Sequence, residues 1–380
     1  MKKKLAAAIT VALAAANLAG CHWDSSTTTP SSPTGTTVGP NFAYSADYND
    51  SLILQYSVNP NTGVIGTTAV SSTTDAGNTD YVAVNQAANI LYATESSGNA
   101  VSEYSIAKTT GALTKVGSVA TGIQPVSITI NAAGTYAYVV DSNSADVYQY
   151  SISQTTGLLT YVSSTVTGGS GPSYLTINPA GTYAYVSNSS SNSISVFSIN
   201  STTGGLSPIA GSPFTTTSPY DVTFNPAGTL AYVPTFGGNS IAVYSIDPGT
   251  GAIGAAITGS PFVSGTSSRG IVLNANGTFA YSVNGGTGNR TTPDGSVTEY
   301  SVNTTTGALT QIGTVTSNVG VYSNCIAINA ADTVVYVVNN WGPAVTEYSI
   351  NQSTGVLTAL GTVPLSSSAA TANSISFATE

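Results

Sequence analysis

The chain has 380 residues, of which 6% are charged and 41% hydrophobic, with 39 Gly and 22 Tyr and an abundance of Thr, Val and Ile. This is a β-sheet vocabulary with enough aromatic residues for a large core, and it excludes helical bundles, coiled coils, α/β nucleotide-binding folds and a disordered chain. The formal charge of −9 becomes −12 once Lys2, Lys3 and Lys4 are set aside with the leader described next, because Lys108, Lys115, Arg269 and Arg290 then face all 16 acids; nucleic acid is repelled by such a surface.

From the N-terminus, three lysines precede a mostly apolar run at residues 5–18, which ends in Leu18-Ala19-Gly20-Cys21. Fourteen residues are too few to span a bilayer, which takes about 20, and suit the core of an export signal. Small residues before a cysteine resemble the lipobox of bacterial lipoproteins, so Cys21 is expected to carry a lipid anchor that holds the protein in the bacterial cell envelope. With Cys21 so used, Cys325 is expected to have no disulfide partner. Residues 24–40 are nearly all Ser, Thr, Pro and Gly, a flexible spacer reaching on the order of 20–25 Å. The expected division is therefore a signal peptide at 1–20, a lipidated cysteine and linker at 21–40, and one domain at 41–380.

That domain is built of repeats. A tight turn recurs with its Gly at 63, 111, 157, 204, 251, 307 and 355, a period of 46–48 residues broken by one gap of 56. Upstream of it run a strand containing Tyr44, Tyr92, Tyr138, Tyr185, Tyr232, Tyr281 or Tyr336 and a second strand with Tyr56, Tyr104, Tyr150, Phe197, Tyr244, Tyr300 or Tyr348. Seven copies at this period predict an all-β fold, a seven-bladed β-propeller of four-stranded antiparallel blades. In one copy, strands are expected over 173–178, 182–187 and 193–199, with an edge strand running out near 211–214. The chain enters on a second strand at Asn41 and leaves on a first strand at 373–379, so the C-terminal strand is expected to complete the N-terminal blade and close the ring.

The repeated Pro-Ala-Gly-Thr-x-Ala-Tyr-Val and Tyr-Ser-Ile-x-x-Thr-Thr-Gly-x-Leu-Thr resemble the seven-bladed propellers of the lactonase family over residues 41–380. That group is similar to bacterial 6-phosphogluconolactonase and fungal muconate cyclase, and close to the Tyr-Val-Thr-Asn repeat proteins of microbial surfaces. The resemblance implies a channel-mouth site fed by one equivalent position in each blade, here Asp80, Val126, Ser173, Tyr220, Arg269, Asn324 and Asn373. It also implies a His where this chain has Val126, and an acid matched by Asp141 in the loop that continues to Asp146.

Lactone hydrolysis needs a base or a metal to activate water and a donor for the oxyanion. The chain's one histidine, His22, adjoins Cys21. Asp141 and Asp221 are the candidate bases, although both also read as solvated loop acids. No metal-ligand spacing is present and no cofactor is expected. The enlarged loop at 284–295 carries Arg290, Arg269 belongs to the same blade, and the next blade brings Asn324 and Trp341. These four form a candidate binding patch for a carbohydrate or a protein ligand. The expectation from sequence is a lipid-anchored monomeric binding module, with a 6-phosphogluconolactonase-like lactone hydrolase as the alternative.

Overall fold

A computed structural model describes residues 41–288, 294–316, 321–341, 344–364 and 372–378; the expected signal peptide, Cys21 and linker, together with Arg290, lie outside the described residues. Seven antiparallel sheets follow one another around a ring. Blades 1 to 6 take the chain in order from Thr79–Asn85, and each starts with its innermost strand. The seventh, closing blade has Ser71–Thr74, Leu52–Val58 and Asn41–Asp47 from the N-terminus, with Ala372–Ala378 from the C-terminus as its innermost strand. Phe42 faces Ala378 and Ala46 faces Ser374, so the two ends of the domain meet in register. Closure is as expected. In blade 3 the strands are Pro172–Ile177, Tyr183–Asn188 and Ser193–Ile199, and the edge strand is split into Leu206–Pro208 and Phe214–Thr215, both paired with Ser193–Ile199.

The repeated sequence markers meet one another across the blade seams. In the second strand of each blade the tyrosine is fully buried, and its hydroxyl reaches the turn glycine of the next blade. Tyr44 donates to Gly111 O at 2.6 Å, Tyr92 to Gly157, Tyr138 to Gly204, Tyr185 to Gly251 at 2.7 Å, Tyr281 to Gly355, and Tyr336 to Gly63 across the closing seam. Tyr232 of blade 4 is the exception; its buried hydroxyl has no partner. The third-strand tyrosines reach the other way, Tyr150 to Ala120 O and Tyr300 to Val263 O. Each turn glycine also has to be glycine. Gly251 has φ of 73°, and a Cβ there would sit 2.4 Å from the Tyr183 ring.

One sequence expectation is corrected here. Cys325, fully buried at the start of blade 6, is disulfide-bonded rather than a lone thiol. Its partner lies outside the described residues.

Candidate active site

Every innermost strand carries a one-residue bulge near its start. The register slips between Thr79 and Tyr81, Pro125 and Ser127, Pro172 and Tyr174, Ser268 and Gly270, Ser323 and Cys325, and opposite Ala46 and Asp47 in the closing blade. In blade 4 the bridge Pro219–Thr235 and the pair Thr223–Tyr232 enclose the same extra residue. The residues so displaced are Asp80, Val126, Ser173, Arg269, Asn324 and Asn373, with Tyr220 inside the blade 4 slip: the seven positions that the repeat alignment groups at the channel mouth. A bulge leaves its extra residue outside the ladder and re-aims its side chain, which is how a regular scaffold can vary one position from blade to blade.

On one side of that axis, three consecutive blades form a hydrogen-bonded relay. Asn340 Nδ2 of blade 6 donates to Asn373 Oδ1 at 2.5 Å, and Asn373 Nδ2 of the closing blade donates to Asp80 Oδ1 of blade 1 at 2.7 Å. Asp80 is fully buried, and its Oδ2 has no hydrogen-bond partner. Burial pushes its pKa up to about 8, against the downward pull of the Asn373 bond. On the other side, Ser173 and Ser187 donate to Tyr220 O at 3.2 and 2.8 Å. The guanidinium of Arg269 lies over the rings of Phe236 and Tyr220, 5.2 and 5.9 Å from their centroids.

Aromatic rings join the two sides. Tyr81 lies 6.4 Å from Tyr174, Tyr174 lies 5.9 Å from Tyr220, and Tyr220 stacks on Phe236 at 6.0 Å. The Tyr174 hydroxyl is buried with no partner. Burial raises the pKa of Tyr174, and Tyr220, Tyr81, Asp80 and Asp221 raise it further. Burial likewise raises Tyr220, while Arg269 opposes it.

The sequence candidates therefore separate. Asp221 belongs to the channel group. It is buried rather than solvated, and its Oδ1 accepts the Val222 N–H at 2.7 Å. Asp141 is also buried rather than solvated; it pairs with Pro125 beside the blade 2 bulge, and its other neighbours are Asp146, Thr121 and Gly122. Arg269, placed at the channel mouth from sequence, is 0% exposed. Asn324 and Trp341 lie on the strands Val321–Ile328 and Val334–Trp341, with side chains outside the description, as is the whole of Arg290. Sequence reasoning grouped Asp80 with the channel ring without giving it a role, and it passed over Tyr174. An acid at a bulge facing an amide at the equivalent bulge was the available signal for Asp80.

A separate cavity of about 300 Å³ opens at the other ends of the innermost strands. Ile130, Ile177, Phe224 and Leu273 line it with turn residues such as Asn178 and Pro179, and no titratable side chain faces it.

Comparison with known proteins bears on this geometry. The sequence profile described as Lactonase, 7-bladed beta-propeller matches residues 42–140, 162–261 and 223–373. Among solved structures the chain is similar to a Bacteroides fragilis protein provisionally described as a 6-phosphogluconolactonase, with a TM-score of 0.78 and 19% identity over 91% of this chain and 99% of that one. It is similar too to a periplasmic gluconolactonase of Pseudomonas aeruginosa, with a TM-score of 0.73 and 15% identity over 90% and 99% of the two chains. At such identities the likeness carries the fold alone. No curated protein sequence matches the chain.

Proposed function

The chain belongs to the lactonase seven-bladed β-propeller family, and from that premise we propose that it hydrolyses a lactone at the bulge end of its channel. The observation that carries this reading is a pair of buried polar atoms without partners, Asp80 Oδ2 and the Tyr174 hydroxyl. Both are proton-transferring groups, drawn from different blades within electrostatic reach of one another. In the proposed reaction, ionised Asp80 takes a proton from water as its oxygen attacks the lactone carbonyl carbon. The Tyr174 O–H and the Arg269 guanidinium receive the developing oxyanion. As the ring C–O bond breaks, Asp80 returns the proton to the leaving alkoxide, and an open hydroxy acid is released. With a net charge of −9 and one arginine in the channel group, an uncharged lactone suits the site better than a phosphorylated one.

The test is turnover of δ-gluconolactone by the purified chain, corrected for spontaneous opening. Activity should rise with pH through about 8 as Asp80 ionises. Asp80→Asn should lose about 10²-fold or more, the usual worth of a general base, and Tyr174→Phe a similar factor. Turnover no faster than the spontaneous rate would reject the reading, as would turnover indifferent to both substitutions.

We propose also that the protein is exported and lipid-anchored through Cys21. The support is the lipobox-like Leu18-Ala19-Gly20-Cys21 together with the periplasmic location in the description of the Pseudomonas relative. A thioether at Cys21 leaves that sulfur unable to form a disulfide, and Cys325 is disulfide-bonded. Peptide mass analysis of membrane-extracted protein decides between the two fates. Diacylglycerol on a processed N-terminal peptide supports the anchor, whereas an unmodified Cys21 peptide released from Cys325 by reduction refutes it.

A further inference from the structure

Blade 2 departs from its sisters at the tip of the hairpin joining its second and third strands. In blades 1, 3, 5 and 6 a polar residue within the last three positions of the second strand meets a hydroxyl two residues into the third. Glu95 pairs with Ser102, Asn188 with Ser195 at 2.8 Å, Asn284 with Thr298 at 2.9 Å, and Asn339 with Thr346 at 3.0 Å. Blade 2 has Asp141 in this place and Tyr148 where the hydroxyl would be. It also places a second acid, Asp146, directly opposite Asp141 in the ladder, where the other blades have Leu52, Ala100, Ser193, Ser240, Ser296 and Ala344.

The result is a facing pair of carboxylates without compensation. Asp141 is 0% exposed, and neither of its oxygens nor the buried Oδ1 of Asp146 makes a hydrogen bond. The Thr121 hydroxyl and the Gly122 amide lie near enough to lower the pKa of Asp141 without closing a well-formed bond, while burial and the charge of Asp146 raise it to about 7. Two like charges that face each other across the end of this hairpin, one of them fully buried, are unfavourable unless something neutralises them.

We propose that Asp141 and Asp146 bind a hard divalent cation of the Ca²⁺ type at the seam between blades 1 and 2, with the Thr121 hydroxyl as a neutral oxygen ligand. All three donors are oxygens, which selects against the softer metals that prefer His or Cys. Among the described residues no group of three or more His, Cys, Asp or Glu could hold a metal, so two carboxylates set the strength. A half-saturation on the order of 0.1–1 mM follows, as in extracellular calcium modules.

The experiment uses the purified, chelator-treated chain and Tb³⁺ luminescence. Tyr148, whose phenol feels both carboxylates, is the nearby sensitiser. A saturable signal displaced by Ca²⁺ is expected, weakened at least tenfold in Asp146→Ser, which installs the residue that blade 3 has at this place. The melting midpoint should rise with Ca²⁺ in the parent chain and stay fixed in Asp146→Ser. The proposal is overturned if no Ca²⁺-displaceable signal appears, or if signal and midpoint respond equally in both proteins. It is also overturned if Asp141→Asn raises the midpoint of a Ca²⁺-insensitive parent, because the pair then shares a proton and not a metal.

Discussion

Tyr185 and Tyr232 occupy the same place in successive blades and differ by one bond. Tyr185 donates to Gly251 O across the seam, while the Tyr232 hydroxyl is buried with no partner. Tyr185→Phe strands a buried carbonyl and should cost about 1–2 kcal/mol, read as a fall in the urea midpoint. Tyr232→Phe removes a hydroxyl that already pays its desolvation without return, so its midpoint should hold or rise. Equal losses in the two variants would mean that the seam bonds contribute nothing. At this same scale the sequence was least legible. Asp80, Asp141 and Asp221 sit beside polar turns that read as solvated, and what buries them comes from other blades; Tyr174, 93 positions beyond Tyr81, packs 6.4 Å from it. Local pattern carries no trace of such contacts.

At the scale of the element, strand and turn were legible because each repeated marker answers another. A tyrosine recurs so that its hydroxyl can reach a glycine carbonyl one blade on, and the period of the sequence is the spacing of that bond. A second set of interblade latches escaped notice because it alternates between two residue types. Gln55 and Gln149 donate to Thr110 O and Thr203 O, both at 2.6 Å, whereas Glu103 and Glu347 accept the N–H of Leu159 and Ile65 at 2.5 and 2.7 Å. Burial lifts Glu347 from its ordinary 4.5 to about 7. The folded state thus holds a proton that the unfolded chain has released, so its stability is fullest below about 4.5 and declines as pH rises through about 7. Glu347→Gln keeps an acceptor for the Ile65 amide and removes that titration. Its melting midpoint should match or exceed the parent's at pH 8 and vary less between pH 4.5 and 7; a lower midpoint at every pH would show that the charge itself holds the seam.

For the whole molecule the decisive strand is the last one. Ala372–Ala378 completes the closing blade, and it also reaches blade 1, where the hydroxyls of Ser374 and Ser376 accept the N–H of Val82 and Val84 at 3.0 and 3.2 Å. Deleting residues 372–380 opens both seams and removes Asn373 from Asp80, so the truncated chain should lose the cooperative melt of the parent. A sharp transition at the parent's midpoint would mean that the ring stands without its closing strand. Because Phe42 and Ala378 already face each other, a permuted chain that joins 380 to 41 through a short linker and opens at the exposed loop 189–192 should melt like the parent.

The bulges have a consequence for how such a protein can diverge. At the latch position of the second strand all seven blades hold tyrosine, and in six of them its hydroxyl bonds across a seam. At the bulge the same seven blades hold Asp, Val, Ser, Tyr, Arg, Asn and Asn. A bulged residue stands outside the ladder, so its identity is released from the pairing that fixes its neighbours. Descendants of one duplicated blade can therefore exchange the lining of the channel one position at a time while the ring that carries it persists. Lineages sharing this scaffold need share no substrate, and the inherited part of the sequence is the part that says least about chemistry.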